Sequence, residues 1–86
     1  GPDNVSLSRG ERHFYLNEHD IFTTECLANC YPNCIFVWKG RVTIESQNLH
    51  ITFESSKAGQ YACHVTNQQT NITLISDPIT LHHNKE

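Results

Sequence analysis

Four cysteines and six histidines are the side chains of this sequence with the most chemistry to offer. The cysteines fall at Cys26, Cys30, Cys34 and Cys63, and the histidines at His13, His19, His50, His64, His82 and His83. Cysteine can act as nucleophile, metal ligand or half of a disulfide, and count and spacing bear on which. An even number in an 86-residue chain is the pattern of a disulfide framework in an oxidising compartment. A metal centre would draw on Cys30, Cys34, His64 and the His82-His83 pair. A Cys-x3-Cys spacing without a second matching half is a weak zinc signature. Nucleophilic catalysis needs a base beside the thiol or hydroxyl, and no Ser/His/Asp or Cys/His arrangement is legible. The carboxylates Glu11, Glu18, Asp20, Glu45 and Glu54 are scattered, with no alternation that brings two of them to one pocket. The chain is therefore expected to be no enzyme and to use neither cofactor nor metal.

Charge and hydropathy exclude further classes. Nine acidic and six basic residues give a net charge of −3, and Arg9, Arg12, Lys39, Arg41, Lys57 and Lys85 form no cluster. A phosphate-tracking surface is not expected. No apolar run approaches the ~20 residues of a membrane-spanning helix, and no leader pattern opens the chain. The domain is expected to be a piece of a longer precursor. Gly1-Pro2-Asp3 reads either as native linker or as a scar of tag removal, and His82 to Glu86 as a tail or linker.

Positioning falls to short strands. Apolar residues alternate over short stretches rich in Val, Ile, Thr, Phe and Tyr, separated by turn residues, and no stretch carries helical periodicity. Val5 to Leu7 opens, and His13 to Leu16 continues along a sheet edge. In Ile21 to Ala28, Phe22, Thr24, Cys26 and Ala28 share one face. In Cys34 to Lys39, Cys34, Phe36 and Trp38 do. Val42 and Ile44 suit a short edge strand. Leu49, Ile51 and Phe53 alternate with polar residues, and Tyr61, Cys63 and Val65 make the next inward set. A polar tip over residues 66–70 leads into a last strand from Asn71 to Leu81, with Pro78 at an edge or bulge. About seven strands and no helix predict an all-β sandwich of two antiparallel sheets in a single domain. A domain this short buries only about 60–65% of its unfolded surface, so covalent help matters.

Cys26, Trp38 twelve residues later, and Ala58-Gly59-Gln60-Tyr61-Ala62-Cys63 together resemble the immunoglobulin superfamily. The resemblance implies a Cys26–Cys63 bond across the core, with Trp38 packed on it. It places Tyr61 at the tyrosine corner and makes Trp38, Tyr61, Phe36, Leu49, Ile51 and Phe53 core. Gly59 serves the close turn before that strand. The short stretch between Trp38 and Leu49 is similar to the C2 or I types. The opening residues look like inner domains of carcinoembryonic-antigen-like adhesion molecules, and the Cys-x3-Cys-x3-Cys-x3-Trp pattern like invertebrate tandem domains. In one departure, Lys57 stands where the family commonly has an Asp paired with an arginine.

Cys30 and Cys34 are then left to bridge each other around Tyr31, Pro32 and Asn33. That ring reads first as a local clip and second as a staple presenting a candidate binding loop. With all four cysteines paired, no thiolate is left for metal. Asn4-Val5-Ser6 and Asn71-Ile72-Thr73 are N-glycosylation sequons, at Asn4 and Asn71. The resemblance implies an extracellular recognition or adhesion module of a cell-surface receptor or secreted, immune-type protein. Its expected partners are proteins, homophilic ones included, and neighbouring domains of the same type. Neither nucleic acid nor direct membrane insertion is expected. A non-binding spacer and a glycan-binding domain are the alternatives.

Overall fold

Alternating burial decides most of the strands. In a computed structural model of the chain, which describes residues 5–29 and 34–84, nine strands form two packed sheets. They are β1 (Val5–Leu7), β2 (His13–Leu16), β3 (Ile21–Ala28), β4 (Cys34–Lys39) and β5 (Thr43–Ile44), followed by β6 (Asn48–Thr52), β7 (Gly59–Asn67), β8 (Ile72–Ile75) and β9 (Ile79–His83). The first sheet has the order β1-β3-β6; the second runs β2-β9-β7-β4-β5, with β8 also paired to β7. A single 3-10 turn at Ser55–Lys57 precedes β7. The protein is an all-β, immunoglobulin-like sandwich.

The core lies between the sheets. Phe22, Cys26, Leu49, Ile51 and Phe53 come from one side or its margin, and Trp38, Tyr61, Cys63, Val65, Ile79 and Leu81 from the other, all buried. Cys26 and Cys63 are bonded across it, Cα to Cα 6.4 Å. Trp38 and Cys63 are register partners on β4 and β7, which puts the indole beside that bond. Phe36 is half-buried and packs on the core from the same strand. Closing a loop of this length restricts the unfolded chain by about 4 kcal/mol.

Three hydrogen-bonded details fix the ends of the core. The Trp38 indole N–H donates to the Gln47 carbonyl at 3.0 Å, and the Gln47 amide donates back to the Cys26 carbonyl at 2.9 Å. The Tyr61 hydroxyl donates to the Lys57 carbonyl at 2.7 Å. Burial raises that phenol above its ordinary pKa, and the Val42 backbone and Arg41 oppose the shift. Lys57 itself donates to the Thr52 carbonyl at 2.8 Å, a neutral acceptor in place of a carboxylate.

The structure corrects the sequence reading in three places. β2 pairs with β9 in parallel, His13 opposite Thr80 and Leu16 opposite His83, so one seam of the sandwich is not antiparallel. The chain crosses from one sheet to the other between β1 and β2, and therefore arrives running the same way as β9. Arg9 covers the crossing, its guanidinium carbon 5.6 Å from the Phe14 ring centre and 5.4 Å from that of Phe22. Secondly, the expected last strand over 71–81 is two strands. Pro78 has no N–H to give a ladder, and Ser76 takes over: its Oγ accepts from the Cys63 N–H at 2.9 Å, while its own N–H donates to the Cys63 carbonyl. Thirdly, His82 and His83 belong to β9, where a tail or linker was expected.

Candidate functional site

The residues that alternate with the core set form the outer face of the larger sheet. With Phe36 and Trp38 turned inward, β4 presents Ile35, Val37 and Lys39 outward. Across β7 and β8 the register aligns Ile35 with Thr66 and Thr73, and Val37 with His64 and Ile75. Ile35 is 45% exposed and Ile75 59%. The Thr66 and Thr73 hydroxyls hydrogen-bond at 2.7 Å, which leaves their methyl groups to extend the apolar rows. Burial, with Lys39 adding to it, lowers the pKa of the His64 imidazole below its ordinary value. The imidazole, between Val37 and Ile75, is thereby biased towards its uncharged form, with Lys39 at the margin of the face.

One end of the face is a tight turn between β7 and β8. Asn67 is buried, and its side-chain oxygen accepts from the N–H groups of Gln69 at 2.8 Å and Thr70 at 3.4 Å. Asn71 follows at φ 61°, a left-handed conformation that Asn tolerates better than most residues. Its side chain is exposed, as a glycan acceptor must be. Cys34 pairs with Asn67, so β4 begins beside this turn. Cys34 is disulfide-bonded. Its expected partner Cys30, the candidate binding residues Tyr31, Pro32 and Asn33, and the other sequon residue Asn4 lie outside the described residues.

At the opposite edge the structure assembles a group that sequence spacing did not suggest. His13 Nδ1 and His82 Nε2 are 3.0 Å apart, and the Tyr15 ring stacks on His82 with centres 4.6 Å apart. His83, next along, turns inward beneath Phe53. Its Nε2 lies 3.6 Å from the Glu18 carboxylate, and its Nδ1 is buried with no hydrogen-bond partner. Glu18 is held in turn by the Ser55 N–H at 2.6 Å.

Among the described residues, no three His, Cys, Asp or Glu side chains come together as metal ligands. The set of Cys30, Cys34, His64 and His82-His83 weighed from sequence is thus not gathered by those of its members that are described. Nor is any helix among the described residues long and apolar enough to cross a membrane. Sequence reasoning missed Ile35, Val37 and Ile75 as surface candidates, and weighed His64 only as a metal ligand. The signal was present in the off-phase positions of strands examined only for their inward residues.

Fold and disulfide define the class: an immunoglobulin-like sandwich domain, cross-linked through its core. No family model matches the chain, and no curated protein matches it.

Proposed function

We propose that this domain is an extracellular protein-recognition module that binds through the outer face of its larger sheet. The observation that carries the reading is the two-row patch of Ile35, Val37 and Ile75 around His64. Exposed Ile35 and Ile75 flank half-buried Val37 on one sheet face; apolar patches of this kind mark interaction surfaces, and interface cores are depleted of charge. The Cys26–Cys63 bond suits an oxidising, extracellular setting. The resemblance to the immunoglobulin superfamily points the same way, towards adhesion or receptor proteins with domains in tandem. A sugar on Asn71 would stand at one end of the face and leave its centre open.

Sedimentation of the isolated domain at rising concentration tests for a homophilic partner, and an arrayed screen against extracellular domains tests for a heterophilic one. Binding is expected in one of them. Ile35→Asp and Ile75→Asp, each placing a charge within the patch, should weaken it at least tenfold, as hot-spot substitutions do at roughly 1.4 kcal/mol or more, without unfolding the domain. A domain that stays monomeric and finds no protein in the screen would instead be a spacer. Binding indifferent to both substitutions would move the site elsewhere.

A further inference from the structure

We propose that His13 and His82 form a two-imidazole site for a borderline divalent cation, Zn2+ above all, which clips the edge strand β2 to β9. The first argument is distance. Imidazole nitrogens bind such metals at about 2.0–2.1 Å, so two of them on one ion stand about 2.9 Å apart at a right angle and about 3.4 Å at the tetrahedral angle. His13 Nδ1 and His82 Nε2 are 3.0 Å apart already, with ring centres at 5.2 Å. Binding turns the two rings from facing one another until both lone pairs meet at a common point.

The second argument is preorganisation. The two histidines come from residues 69 apart in sequence, yet the parallel register of β2 and β9 fixes their backbones. That seam is hydrogen-bonded beyond both ends, by the Thr80 N–H to the Arg12 carbonyl and the Asn84 N–H to the Leu16 carbonyl, each at 2.7 Å. Tyr15, stacked on His82 at an interplanar angle of 12°, limits the swing of that ring. His13 is exposed, so water can complete the coordination sphere. Coordination uses a lone pair from each ring. A proton on either facing nitrogen must then move to the far nitrogen of its own ring or leave to solvent.

The inference is independent of the recognition face, since it rests on a different edge of the sheet. It is tested on the whole domain, free of any histidine tag, by thermal unfolding and titration calorimetry with Zn2+. A cation that binds the folded form and not the unfolded one stabilises it by RT ln(1 + [L]/Kd), so the unfolding midpoint climbs as free cation exceeds the Kd. We expect one saturable site, a raised midpoint, and at least about a tenfold loss of affinity in both His13→Gln and His82→Gln, at least the loss seen when a ligand's supporting partner is removed. His64→Gln should bind as the parent does. Neither residue belongs to the core, although His82 is half-buried against Tyr15, and unfolding without metal reports whether both variants fold. No midpoint rise at millimolar Zn2+, undiminished binding in His82→Gln, or binding lost in His64→Gln would each overturn the proposal.

Discussion

Replacing Cys26 and Cys63 together with Ala is expected to leave little or no folded domain. The substitution releases about 4 kcal/mol of constraint on the unfolded chain. It also opens a cavity beside Trp38, and truncation in a packed core adds its own cost. Net stability for a chain of this size is about 4–13 kcal/mol, so the combined loss consumes much or all of it. Replacing Cys30 and Cys34 together with Ser should cost only about 1–2 kcal/mol, because a five-residue ring restrains the unfolded chain far less and local strain reduces the gain. Chemical denaturation of the two variants beside the parent gives the order. The reverse order would contradict the assignment of the cross-sheet bond as the main covalent support.

The second large effect is expected from a single methyl group. Gly40 follows β4, and its φ needs no glycine; space is what excludes a side chain. A Cβ there would lie 2.6 Å from the Gln60 carbonyl oxygen and as close to the Tyr61 ring. Neither neighbour can retreat. The carbonyl belongs to β7, and the ring is held by its hydroxyl on Lys57 and by its burial in the core. Gly40→Ala should therefore destabilise by about 2–3 kcal/mol, the upper range for overpacking. Gly10→Ala, with nothing within 4 Å of the added carbon, should be near neutral. Equal midpoints for the two variants in urea would show that Tyr61 is free to move.

Much of the sandwich was legible because its signals are local. The alternation of Phe22, Thr24 and Cys26, and of Leu49, Ile51 and Phe53, states which side is inward whatever the strands pair with. The Cys/Trp/Tyr/Cys spacing marked four positions that all proved buried. What escaped depends on contacts between distant parts of the chain. Nothing in His13 to Leu16 reveals that its partner is β9 or that the two run in parallel. Pro78 was visible as a break, but the Ser76 hydroxyl that satisfies the Cys63 N–H was not. The role of Gln47 comes from meeting the Trp38 indole and the Cys26 carbonyl together. The outer face escaped for another reason. Ile35 and Ile75 are ordinary strand residues in sequence, and only the register of β4, β7 and β8 places them around His64.

Cys26–Cys63 bonds the two sheets across the core, and Cys30 and Cys34 are expected to close a separate small ring. Digestion of the native, unreduced protein and mass analysis of the linked peptides tests this pairing most directly. The expected products are one peptide pair joined through Cys26 and Cys63, Cys30 joined to Cys34, and no thiol reactive to alkylation. A peptide joining Cys63 to Cys30 or Cys34, with Cys26 bonded elsewhere or free, would contradict that pairing.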